Sequence, residues 1–225
     1  ISLLGFFVLS GTLYFWFRQT IIENMQGLNS AQLKRSYVWG MGWFIFSEVM
    51  FFAAFFGALF YVRTFAGPWL GGEGEKGQFM NLLWEGYRYA WPVMVTPDQV
   101  VNGAKAAFVG AGEGNSMYPR DAHNGLAMWL PMWNTVLLLS SSVTVHIAHN
   151  GLKDNNRSKF ITWLAITVVL AVAFLILQYM EYHEAYVDLG LTLKSGIYGT
   201  TFFMLTGFHG FHVFLGMTML FIMLL

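Results

Sequence analysis

The chain has 225 residues, with 12 basic against 12 acidic side chains, so its formal net charge is zero. Only 11% of residues are charged, against about 25% in a soluble domain, while 56% are hydrophobic and 18% aromatic. That balance excludes a disordered chain, a nucleic-acid binder with a basic face and a soluble globule, and the lack of cysteine excludes thiolate metal sites and disulfides.

In chain order, the charges mark out five apolar runs. None occurs from Ile1 to Phe17, from Ala122 to Leu152, from Phe160 to Met180, or from Ser195 to Leu225, and Ser36 to Val62 holds Glu48 alone. A hydrocarbon core of about 30 Å takes roughly 20 helical residues. The runs predict an all-α polytopic bundle with helices at about 1–17, 37–62, 127–149, 159–181 and 196–225. Trp16, Trp39, Tyr61, Trp129, Trp163 and Tyr179 fall near the helix ends, where amphipathic rings favour the headgroup layer. Ile1 stands where an initiator Met would, and the last residues lie inside an apolar run. The expectation is a single membrane domain whose flanking segments are cut off or unassigned.

The loops assign the sides. Arg18, Lys34 and Arg35 make 18–35 basic, and Lys153, Arg157 and Lys159 do the same for 150–159. These two loops are an even number of crossings apart and face inward by the positive-inside rule. The 181–194 loop, with Glu181, Glu184 and Asp188, and the long 63–126 segment then face outward. The latter holds 11 of the 24 glycines, which favour turns, and fits no phosphate-cradling pattern. Thr96-Pro97-Asp98-Gln99 reads as the start of a short helix reaching about Phe108, with Thr96 or Asp98 as its cap. The segment is expected to be an outward-facing insertion that contacts a partner subunit.

An ionisable residue inside a span costs a few kcal/mol and calls for a partner or a function. Glu48 lies about 16 Å along its helix from the inner end, as either a hydrogen-bonded structural acid or a proton-exchanging carboxyl. His209 and His212 share one helix face at i and i+3, with His209 near the depth of Glu48. A Glu48–His209 pair is therefore expected, and independent effects in a double-mutant cycle would exclude it. His146 and His149 form a second such pair. Pairs on one face do not supply axial haem ligands from opposite sides, and no Glu-x-x-His repeat accompanies them. Interface hydrogen bonding is the expectation for all four, with no metal bound.

Five blocks carry a resemblance. Ser47-Glu48-Val49-Met50-Phe51-Phe52, Asn134 to Ser141 (NTVLLLSS), Glu181-Tyr182-His183-Glu184-Ala185, Tyr198 to Phe203 (YGTTFF) and Thr206 to Val213 (TGFHGFHV) closely resemble subunit III of cytochrome c oxidase. They come in that family's order and cover about 1–64 and 127–225. The resemblance implies a seven-helix fold, of which this chain carries the second to sixth, arranged as two-helix and five-helix groups about a lipid-filled cleft. It implies a companion of subunit I in an aa3-type enzyme that reduces O2 with electrons from cytochrome c and pumps protons. Haem a and copper would then sit in partner subunits, and structural phospholipids on this chain. Glu48 matches the family's intramembrane Glu, His209 and His212 match its HGxH pair, and Arg18 and Glu23 fall near its lipid head-group contacts. Where the family often has His-His, this chain has His149-Asn150. The glycine-rich insertion suggests a bacterial enzyme of the inner (plasma) membrane rather than a mitochondrial one, contacting subunit II or other respiratory subunits. The competing readings are a quinol oxidase subunit III, and a proton-coupled transporter using Glu48.

Overall fold

The computed structural model describes residues 2–112 and 125–225, with 125–129 as backbone only. All regular structure among them is helical. Contacts divide the chain into two compact units, Ile1–Ala54 and Phe55–Leu225.

The first unit holds α1 (Ser2–Met25) and most of α2 (Ala31–Tyr61). The basic loop expected at 18–35 shrinks to a five-residue turn, because local chemistry closes both helices tightly. Gly27 adopts φ 72° and the Leu28 amide donates to Glu23 O at 3.1 Å, the six-to-one bond that ends a helix at a left-handed residue. Ser30 then caps α2, its Oγ accepting from the Leu33 amide at 3.2 Å. Arg18 and Glu23 therefore ride on α1 rather than in a loop.

In the second unit the helix continues past Tyr61 through a wider π-turn (Val62–Ala66), in which the Gly67 amide donates to Val62 O. It ends in α3 (Gly67–Leu70), whose Pro68 has no amide to donate to the turn before it. The segment expected to be irregular from 63 thus starts eight residues later. Short helices follow: α4 (Gly74–Gly77), α5 (Met80–Leu83) and α6 (Pro97–Asn102), the last running into a 3-10 turn (Gly103–Lys105).

Three long helices complete the unit: α7 (Gly125–Lys153), α8 (Arg157–Val187) and α9 (Gly196–Leu224). The turn between α7 and α8 is tight: Asn155 takes φ 54°, the Asn156 amide donates to Gly151 O at 2.9 Å, and Asn156 Oδ1 caps α8 by accepting from the Lys159 amide at 3.1 Å. Thr144 and Thr167 join α7 to α8 through hydroxyls 2.8 Å apart. Ala31–Leu70, Arg157–Val187 and Gly196–Leu224 are long and apolar enough to cross a membrane. With α1 and α7 they make five long helices, and the chain is an all-α membrane bundle. Helices α1, α2 and α8 outrun the expected 1–17, 37–62 and 159–181 because a helix need not stop where the hydrocarbon does; charged residues extend it into the polar layer.

The best-buried cluster lies where the insertion meets the α8–α9 connection. Met94 and Ala111 pack there with Ala185, Leu191 and Phe203, flanked by Tyr182, Tyr198 and Phe202. The two segments expected on the outer side therefore meet.

Candidate functional site

Glu48 is half-buried on α2, on a stretch whose other residues from 31 to 50 are exposed. Arg18 is exposed on α1; five positions on, the carboxylate of Glu23 accepts from Gln19 Nε2 at 2.9 Å. Positions five apart diverge by about 140° around a helix, so Arg18 and Glu23 do not form one cluster. A hollow at the α1–α2 turn is lined instead by Thr20, Asn24, Asn29, Lys34 and Tyr37.

His209 and His212 are half-buried on α9, in the second unit. The glycines around them explain their direction. A Cβ at Gly210 would stand 3.1 Å from Gln178 Nε2, and one at Gly207 3.5 Å from the Tyr182 hydroxyl. Gly207 and Gly210 thus face α8 and make room for its two polar side chains. Gln178 Nε2 donates to Thr206 O at 3.1 Å. The Thr206 hydroxyl donates to Phe202 O at 2.7 Å, so the Tyr182 hydroxyl, paired with it, is the donor of that bond. At about 100° per residue, the histidine pair points roughly opposite to these glycines, away from α8. Sequence reasoning passed over this Gln178–Tyr182–Thr206 lock; Gln178, the one amide in the uncharged run 160–180, was the available signal. Among the described residues, no three His, Asp or Glu side chains converge as a metal site.

The insertion is organised by Thr96 and Asp98. Thr96 Oγ1 caps α6 by accepting from the Gln99 amide at 3.2 Å and donates to Phe108 O at 2.6 Å. Of the two cap residues the sequence offers, Thr96 is the one used, but α6 ends at Asn102 and the chain doubles back. Asp98 Oδ1 accepts from Asn102 Nδ2 at 2.7 Å, while Oδ2 accepts from the amides of Ala107 at 2.7 Å and Phe108 at 3.1 Å. Asn102, then those amides, hold the Asp98 carboxyl below its ordinary pKa. A group so depressed stabilises the fold above its unfolded pKa, and that stabilisation is lost as pH falls through the lower folded value. Thermal midpoints should therefore fall below about pH 4, and Asp98→Asn should flatten that limb. Thr96→Val should cost about 1 kcal/mol, the typical worth of a cap, read as a lower midpoint at neutral pH.

The second unit also contains a cavity of about 440 Å³ between the insertion and the starts of α3 and α9.

The family description "Cytochrome c oxidase subunit III" matches residues 1–73 and 114–225, all five long helices included. The chain belongs to the cytochrome c oxidase subunit III family. Proteins named cytochrome c oxidase subunit 3 from Dugong dugon, Scyliorhinus canicula and Pongo pygmaeus are 34%, 35% and 35% identical to it over 219, 223 and 211 residues. Those alignments cover 97%, 99% and 93% of this chain but 66%, 67% and 62% of the relatives, so the chain spans about two thirds of their length. Glu48, His209, His212, Gln178, Tyr182 and Thr206 all lie in segments shared with the subunit III family. The stretch left unmatched, 74–113, contains the Thr96–Asp98 clasp and is narrower than the expected 63–126 insertion.

Proposed function

We propose that the chain is the non-catalytic subunit III of an aa3-type cytochrome c oxidase in a bacterial plasma membrane. It supports subunit I in O2 reduction and proton pumping by stabilising it, binding structural phospholipids and aiding proton uptake. Haem a and copper belong to partner subunits. The observation that carries this reading is the match of all five long helices to the subunit III family; the half-buried carboxyl of Glu48 inside one of them supports the proton-linked part. Glu48 exchanges protons, and His209 and His212 take part in the same proton-linked role. Arg18 and Glu23 are the candidate head-group contacts, and the insertion meets subunit II or other respiratory subunits.

The test is mild-detergent isolation of the tagged chain followed by a reduced-minus-oxidised spectrum. A haem a band with cytochrome c oxidation in the same fraction is the expected result. A colourless chain that purifies alone and folded would overturn it. Within the assembly, Glu48→Gln should lower proton uptake per electron while leaving the haem content unchanged.

A further inference from the structure

The cavity in the second unit combines three kinds of lining. Trp84, Tyr87, Tyr89 and Phe108 supply aromatic rings, Val62, Leu70 and Ile197 an aliphatic wall, and Asp98 a carboxylate. At about 440 Å³ it falls in the range of ligand-sized sites, roughly 300–1,000 Å³.

Much of the polar lining is bonded within the chain. The Thr96 hydroxyl donates to Phe108 O, that of Thr200 to Leu193 O at 3.0 Å, and that of Tyr89 to Arg63 O at 3.0 Å. Tyr87 and Asp98 differ. Tyr87 is buried, and among the described residues its hydroxyl has no hydrogen-bond partner. Burial first, then Tyr89, raise its pKa, so it stays a neutral hydroxyl with lone pairs to offer. The Asp98 carboxylate accepts from Asn102 and from the amides of Ala107 and Phe108. These donors are neutral, so they leave its charge uncompensated, and they occupy three of its roughly four acceptor positions.

An anion beside aromatic rings attracts a cation twice over, through its charge and through the negative ring faces. Arg63 and Lys76 are engaged with other rings, Arg63 at 5.6 Å over Trp91 and Lys76 at 4.7 Å over Trp69. A guanidinium pairs best as a fork across both carboxylate oxygens, and both already accept here. An ammonium is a compact charge for which one free position suffices, and the apolar stem of a lysine suits an aliphatic wall.

We infer that this cavity is the socket for a lysine side chain of a partner subunit, its stem against Val62, Leu70 and Ile197 and its ammonium between the Asp98 carboxylate and the Tyr87 hydroxyl. The inference rests on the reading of the chain as an oxidase subunit, and it gives the insertion's contact with its partner a definite chemistry. It uses none of Glu48, Arg18 or Glu23.

The experiment treats the intact, detergent-solubilised assembly with a water-soluble carbodiimide, which joins a carboxylate to an amine in contact with it. Links are mapped by peptide mass spectrometry. An amide between Asp98 and a lysine of another subunit is the expected product. Asp98→Asn should abolish that link while the exposed Glu73 and Glu85 still react. Ile197→Trp, which narrows the cavity and leaves the bonds of Asp98 in place, should remove most of it, and Tyr87→Phe should lower its yield. An assembly containing haem a but giving no Asp98 link would overturn the assignment. So would a link unchanged in folded Ile197→Trp, or one from Asp98 to a lysine of this chain or to a lipid amine. A fraction without haem a would count against the oxidase reading alone, since a link from Asp98 to a partner's lysine there would still support the socket.

Discussion

Gly199→Ala should destabilise the chain by about 3 kcal/mol, the upper part of the range for overpacking a filled site. Gly199 sits in the first turn of α9, where a Cβ would overlap Thr192 O and stand 2.8 Å from Ser195 Cβ. Neither neighbour yields cheaply. Ser195 is almost fully buried, its Oγ accepts from the Thr192 amide at 2.9 Å, and the Ser195 amide donates to Thr192 O at 3.0 Å. Moving Thr192 displaces Leu191, which belongs to the buried cluster with Ala185 and Phe203. Alanine gains about 0.5–1 kcal/mol over glycine in a helix interior, too little to offset the clash. Gly216→Ala supplies the control, because a Cβ there meets nothing within 4 Å, so the helix gain stands alone. Thermal unfolding in one detergent should move the two variants in opposite directions. Equal midpoints would show that α9 does not need this close approach.

The long helices were legible because a membrane span is written locally, as a charge-free run of the right length. The start of α6 was legible for the same reason, since a cap bonds within three residues, though Thr96 and Asp98 were equally placed to supply it. Glu48 stood out by contrast with its surroundings. What could not be read was which residues meet across long separations. Met94 and Ala111 pack against Ala185 and Phe203, about 90 residues away, and nothing in a glycine-rich stretch announces that partner. The insertion was therefore expected to find its contacts on a partner subunit, whereas part of it forms the best-buried cluster of this chain. The glycines of TGFHGFH are small enough for close packing but do not name the neighbour; the structure shows Gln178 and Tyr182 entering the space. Helix ends were misplaced at Met25 and Val187 because the hydrocarbon length bounds the apolar stretch, not the helix that carries it.

Gly110→Ala should detach the insertion while leaving the long helices in place. An added Cβ would overlap Met94 O and lie 2.6 Å from Met94 C, so backbone must move against backbone. The two strands of chain are pinned at that point. The Gly112 amide donates to Met94 O at 2.9 Å, the Gly110 amide to Gln99 Oε1 at 2.9 Å, and the Val109 amide to Lys194 O at 3.1 Å. Separating Met94 from Ala111 opens the buried cluster and moves Phe108, a wall of the cavity in the second unit. The cost should again reach about 3 kcal/mol, but its location differs from that of Gly199→Ala. The Gln178–Thr206 and Tyr182–Thr206 bonds hold α8 to α9 without help from the insertion. Limited proteolysis should thus cut the variant between 92 and 112 faster than the native chain, with α8 and α9 still protected as one fragment. Loss of protection across α8 and α9 together would mean instead that the insertion is a structural part of the bundle.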